Sequence, residues 1–281
     1  MTDHRFHAPL SAAARRRLRR NLGTVPADGN CMETAASVVS VAYEYVVALL
    51  APPHCAACDA PVAVLAAFCA GCASTVERAP APADGRGLTA ALVYDGAVAQ
   101  AVVRMKYGRR PDLSRPLGDM LWRALAPRAA SLGAVVVVPV PLHPVRLAER
   151  GYNQSALIAR RIARRLGVPL RPLALARVRD TPQQAILERD ERLTNVVGAF
   201  QARKARQVAG RAVLLVDDVC TTGATLRAAG HALFEAGARS VTSAVVAYTP
   251  GRQAEGRQTA EDEGDDSSSP TLPWSRATLR R

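Results

Sequence analysis

VLLVDDVCTTGATL, Val213 to Leu226, decides how this chain is read. Val213 to Val216 is a short apolar strand, two adjacent carboxylates follow at Asp217 and Asp218, and Thr221, Thr222, Gly223, Ala224 and Thr225 turn the chain into a helix. That helix runs from about Ala224 to Ala236 and stops at Gly237. The first amides of a helix lack internal acceptors and carry partial positive charge, so the turn suits a phosphate. The Thr hydroxyls add donors, and Gly223 lets the backbone approach closely. Asp217 and Asp218 cannot ligate a phosphate. They suit sugar hydroxyls, which they would accept from, with Mg²⁺ bridging sugar and pyrophosphate oxygens. The bland alternative, acids that merely cap a helix, is disfavoured because strand, acids, Thr-Thr-Gly-x-Thr and helix occur together. Cys220 reads as filler, since a nucleophilic thiol needs a base and the nearest His, His231, lies well inside the helix.

Outward from this segment, apolar strands alternate with helices. Val241 to Ala247 is a strand downstream. Upstream, Ala134 to Val138 is a β-branched run bounded by Gly133 and Pro139, followed by a helix with Leu157, Ile158, Ile162 and Leu166 before Gly167. Earlier still, Asp95 caps a helix in which Val98, Ala101, Val102 and Met105 share a face, and a second helix is expected over Leu113 to Ala130. The order predicts an α/β fold, a parallel sheet flanked by helices.

A second pattern stands apart: Cys55-x2-Cys58-x10-Cys69-x2-Cys72. Four thiolates suit tetrahedral Zn²⁺, and with every position filled by protein the site is structural rather than catalytic. Six cysteines in 281 residues, four of them in pairs, are too sparse for a secreted disulfide scaffold and point to a reducing, cytoplasmic setting. His54 is a substitute ligand to be considered, and the module is expected to be remote from the Thr-Gly turn.

The chain is 49% hydrophobic and 22% charged, which excludes wholesale disorder. Its net charge is +13, and only Lys106 and Lys204 are lysines, so arginine supplies the excess. That suits phosphates or nucleic acid and equally a genome rich in Arg codons. The expected organisation is a flexible basic extension at 1–32, an amphipathic helix at 33–52, the four-cysteine zinc module at 53–75, a Pro/Ala linker at 76–87, a body at 88–250 and a disordered acidic tail at 251–281. Ser37, Ser40 and Glu44 interrupt the apolar 35–52 stretch on one helical face, which argues against a membrane span.

The strand, two acids and TTG turn resemble the fingerprint of type I phosphoribosyltransferases, which hold the ribose and 5-phosphate of phosphoribosyl pyrophosphate (PRPP) there. With PPxCxxC, a second CxxC, RMKYGRR (Arg104 to Arg110) and VVPVPLHPVRLAERGYNQS, the chain over roughly 33–250 is similar to the ComF family of competence-associated phosphoribosyltransferase-like proteins. The resemblance implies a type I phosphoribosyltransferase-like sheet preceded by a zinc-ribbon-like module. It implies Mg·PRPP on Asp217, Asp218 and residues 221–225, and a pyrophosphate-facing loop from Val140 to Asn153 that carries Arg146 and Arg150. A mobile cover over 177–200 would contribute Arg177 and Arg192. His143 is a candidate proton donor, with a structural role the blander reading, and Asn153 a candidate helix cap. The expected activity is phosphoribosyl transfer to a nucleobase-type acceptor with pyrophosphate release, in DNA uptake or nucleotide salvage. Two alternatives belong to other classes. One is a non-catalytic PRPP sensor that binds single-stranded DNA or a DNA-processing partner such as a helicase; the other is a zinc-ribbon adaptor, disfavoured by the intact acid pair.

Overall fold

The computed structural model describes residues 52–80, 87–133, 135–179 and 198–250, all within one compact unit that begins at Pro52. The expected extension, amphipathic helix, acidic tail and Arg192 lie outside the described residues.

Four parallel strands form the sheet: β1 (Leu88–Val93), β2 (Val135–Pro139), β5 (Ala212–Cys220) and β6 (Ser240–Tyr248), in the spatial order β1-β6-β5-β2. Both faces are covered, as a parallel sheet requires. Leu214 and Val216 of β5 pack with helices α1 (Gly96–Tyr107), α2 (Ser114–Leu125) and α4 (Gln154–Leu166). Val213 and Leu215, which alternate with them, pack against α5 (Ala224–Glu235). A short helix, α3 (Pro144–Arg150), follows β2, and a two-stranded antiparallel ladder of β3 (Leu175–Arg177) and β4 (Phe200–Ala202) brackets residues 180–197.

The helices begin and end where their residues dictate. Asp95 accepts from Gly96 N at 2.7 Å at the start of α1. Asn153 Oδ1 accepts from Ser155 N at 3.0 Å and Ala156 N at 3.3 Å, so it caps α4, and Gly167 closes that helix at φ 66°. Arg161 forks onto Asp119 at 2.6 and 2.5 Å, tying α4 to α2.

Two boundaries differ from expectation. The helix expected over Leu113 to Ala130 ends at Leu125, because Pro127, which lacks an N–H, forces a 3-10 turn at Ala126–Arg128 before one further turn at Ala129–Leu132. The strand expected to stop at Val216 runs on to Cys220, carried by pairing with β6. Among the described residues no helix is long and apolar enough to cross a membrane.

Candidate functional site

The carboxyl end of β5 is where ligands bind in open parallel sheets, and its neighbours shape it unequally. Pairing with β2 ends at Val216↔Pro139, and Val140 N donates to Val216 O at 2.9 Å before the chain leaves into α3. Pairing with β6 continues from Asp217↔Val245 to Cys220↔Tyr248. Asp217 and Asp218 therefore lie inside the strand rather than beyond it, next to the gap that the departure of β2 opens. Only 7% and 3% of their surfaces are exposed.

Two carboxylates this buried need partners. Asp217 Oδ1 accepts from Ser155 Oγ at 2.7 Å and from Asp218 N at 2.9 Å. Asp218 Oδ2 lies 3.1 Å from Lys106 Nζ, delivered by the last turn of α1. Burial, and after it the Asp218 charge, push the Asp217 carboxyl up to about 7 against the pull of Ser155 and Lys106. Burial opposes the Lys106 charge, but the two carboxylates outweigh it and hold the ammonium above its ordinary range. Sequence reasoning found the acids and missed both partners. Ser155 lies in the first turn of α4, where a small polar residue carries no signal of its own. Lys106 did carry a signal, being one of two lysines where every other side-chain cation except His is arginine.

Beyond Cys220 the chain makes the turn expected of it. Gly223, in the left-handed region at φ 74°, starts α5. Thr222 Oγ1 accepts from Ala224 N at 3.4 Å, and Arg227 Nη1 reaches back to Thr222 O at 2.8 Å. Thr221, Gly223, Ala224 and Thr225 line a shallow, open depression. An added Cβ at Gly223 would stand 3.1 Å from Arg227 Nη1 in a backbone conformation that L side chains rarely adopt. Gly223→Ala is expected to cost about 1–2 kcal/mol from the left-handed backbone alone, read as a lower thermal midpoint. Gly71→Ala, whose added methyl has nothing within 4 Å, should not lower it. Burial, and then Asp217, push the Cys220 thiol up to about 11, so it stays protonated and unreactive. His231 pairs with Glu235 at 3.5 Å.

Half of the segment expected as a pyrophosphate-facing loop is helix: Pro144 opens α3, with His143 at its N-cap, and Gly151 closes it at φ 81°. Arg146 and Arg150 lie four apart on it. Arg150 donates to Gln154 Oε1 at 2.7 Å and sits 5.1 Å above the Tyr107 ring. Arg177, on β3, stacks 5.6 Å over Phe200. The basic RMKYGRR segment offers less free charge than its sequence suggested, since Arg104, Lys106 and Arg110 all pair with acids of this chain.

The four cysteines converge, with Sγ atoms of Cys55, Cys58, Cys69 and Cys72 all within 4.8 Å of one another and those of Cys58 and Cys69 3.6 Å apart. Ligands about 2.3 Å from one tetrahedral ion would stand at about this separation. Burial works against the Cys55 thiolate, yet the amides of Cys58, Cys69 and Ala57 outweigh it and bring the thiol to about 6. Hydrogen bonding to Cys58, followed by burial, pushes Cys72 up to about 12. Sulfurs this close cannot all ionise without a cation between them. The four cysteines are thus positioned to bind one metal ion. His54 pairs its backbone with Pro61 and stands outside the cluster.

The module packs into the body rather than standing apart from it. Cys55, Ala56, Ala57 and Phe68 are buried in the same core as Val98, Val102 and Met105 of α1, the helix that carries Lys106. A segment this short buries enough apolar surface only by joining the larger core.

A model of the phosphoribosyl transferase domain family matches residues 153–273. Competence protein F of Haemophilus influenzae is 28% identical over 193 residues, 67% of this chain and 82% of that protein. DNA utilization protein YhgH of Salmonella typhimurium is 30% identical over 190 residues, 66% of this chain and 80% of that protein. Competence protein ComFC of Bacillus subtilis is 37% identical over 109 residues, 38% of this chain and 42% of that protein. The solved hypoxanthine phosphoribosyl transferase of Trypanosoma cruzi is 17% identical, covering 50% of this chain and 76% of that one, but at a TM-score of 0.32 the superposition is too loose to argue from. The acids and glycine turn at the end of β5, the paired cysteines and the extent of these sequence matches agree, and the chain belongs to the ComF family of proteins with a phosphoribosyltransferase domain.

Proposed function

We propose that this chain binds Mg·PRPP at the carboxyl end of β5 and transfers the phosphoribosyl group to an acceptor, releasing pyrophosphate. One observation supports this above all others: two buried acids end the strand that leads, through Thr221 and Thr222, to a left-handed glycine that opens a helix. In this reading the amides of Gly223, Ala224 and Thr225, with the Thr221 and Thr222 hydroxyls, hold the 5-phosphate at the positive end of α5. Asp217 and Asp218 accept from the ribose hydroxyls. Magnesium, arriving with the substrate beside Asp217 and Asp218, would supply charge compensation. Arg146 and Arg150 on α3, joined by Arg177 and Arg192, neutralise the leaving pyrophosphate. His143 protonates it as it departs. No residue needs to bond covalently to the sugar: a nitrogen of the acceptor attacks C1, the C1–O bond to pyrophosphate breaks, and the chain positions the partners and excludes water.

The cysteine cluster, in this reading, takes zinc as a structural ion, since four thiolates leave no position for a reacting water. The module at 53–75 and the body at 88–250 are then separate in sequence and joined in packing. The names of the relatives, competence and DNA utilization, support a setting in DNA uptake or use, with a DNA-processing protein as partner.

Calorimetric titration of Mg·PRPP into the full chain tests the reading. Wild type is expected to bind, and Asp218→Asn to bind about 100-fold more weakly, the size expected when a charged hydrogen-bond acceptor is lost. No binding by wild type overturns the proposal. Pyrophosphate release that requires both PRPP and a nucleobase separates transfer from sensing, which predicts binding without release.

A further inference from the structure

The metal module and the acid pair are gripped by the same helix. At the start of α1, Thr75 Oγ1 accepts from Ala97 N at 3.2 Å, while the same hydroxyl donates to Cys72 O at 3.0 Å. At the other end, Arg104 Nη1 donates to Cys55 O at 3.3 Å and Ala57 O at 3.1 Å, and Nη2 pairs with Asp59 at 2.8 Å. Arg110 closes on the other oxygen of Asp59 at 2.7 Å. Asp59, directly after Cys58, holds φ 67°, a conformation that these two guanidiniums help retain. The first and second CxxC pairs thus hold opposite ends of one helix.

Residues two apart on a helix face different ways. While Arg104 points into the module, Lys106 points to β5 and meets Asp218. Between them, Met105 is fully buried and its carbonyl accepts from the Tyr152 hydroxyl, so this last turn is held on a third side.

We propose that Arg104 and Asp59 are positioning residues for Lys106: they set the last turn of α1 against the first CxxC pair and so hold the ammonium over the acid pair. The inference rests on the phosphoribosyl reading of that pair and goes beyond it, because it makes ligand affinity depend on side chains that touch no ligand. Lys106 is the resident counter-charge of two buried acids. A last turn displaced toward solvent leaves them without it, and a phosphorylated sugar then meets an uncompensated negative site.

A double-mutant cycle on the full chain, read by calorimetry with Mg·PRPP, tests this. Arg104→Met, Asp59→Asn and Lys106→Met are each expected to weaken binding about tenfold, with one bound metal ion per chain retained in all three. A residue that acts only through Lys106 adds nothing once Lys106 is gone. Arg104→Met/Lys106→Met and Asp59→Asn/Lys106→Met should therefore bind no more weakly than Lys106→Met alone. A general packing defect would instead add to the Lys106 effect, and additive losses overturn the inference. Asp59→Asn, isosteric and half exposed, carries the test if Arg104→Met does not fold. Wild-type binding that the Arg104 and Asp59 variants leave unchanged overturns this inference alone. Failure of wild type to bind overturns the phosphoribosyl reading and the inference together.

Discussion

At pH 8, Asp217→Asn is expected to unfold at a higher temperature than wild type while losing Mg·PRPP binding. Asp217 is buried beside a second carboxylate, and its carboxyl is raised from an ordinary 3.8 to about 7. A group held above its unfolded value keeps its proton longer in the folded state. Its contribution is therefore fully present below pH 3.8 and is lost as pH rises through about 7. Ionising this carboxyl in the ligand-free protein therefore lowers stability above neutrality. Asn is uncharged and of the same shape, and its carbonyl can still accept from Ser155 and the Asp218 amide. The gain in stability should be largest at pH 8, shrink through pH 6 and be near zero at pH 4. Thermal melts across that range give the curve, and calorimetry at pH 8 gives the loss of binding, expected at about 100-fold. A variant less stable than wild type at pH 8 would mean that the Lys106 charge already satisfies both acids. The expected opposition of stability and binding is what a site built to receive sugar hydroxyls costs when empty.

How far the site could be read from sequence depends on how local its chemistry is. The turn at Thr221 to Thr225 announces itself because glycine, threonines and the start of an amphipathic helix are all consequences of neighbouring residues. The paired cysteines do so for the same reason. By contrast, β5 looked finished at Val216, since Asp-Asp-Val-Cys has no apolar pattern of its own. Only β6, which forms later in the chain, keeps those residues extended. β1 escaped notice because Leu-Thr-Ala-Ala-Leu-Val has little β preference and gains its place by pairing with β6. In sequence Arg104, Lys106 and Arg110 stand together in one basic segment; the fold supplies Asp59 and Asp218 as their partners, far away in sequence on either side. Charge is legible from composition; its partner is a property of the fold.

Removing the metal should have the largest effect on stability. In small modules that fold only around zinc, binding contributes about 10–16 kcal/mol. Here part of the module, including Cys55 and Phe68, is buried in the common core, so a smaller loss is expected, about 5 kcal/mol, or a fall of about 10–20 °C in the thermal midpoint. Cys58→Ser, or prolonged exposure of the full chain to a strong chelator, should produce it together with loss of one metal ion per chain. Unchanged metal content in Cys58→Ser would remove Cys58 from the ligand set. The sequence alone suggested that such damage stays within the module. The contacts of Thr75 with the start of α1, and of Arg104 on α1 with the module, predict otherwise: the metal-free chain should also bind Mg·PRPP more weakly, even at temperatures where β2, β5 and β6 remain folded by circular dichroism. Full affinity in a chain shown to have lost its metal would mean that the core around Met105 holds the last turn of α1 unaided. The module would then stabilise the fold without shaping the site.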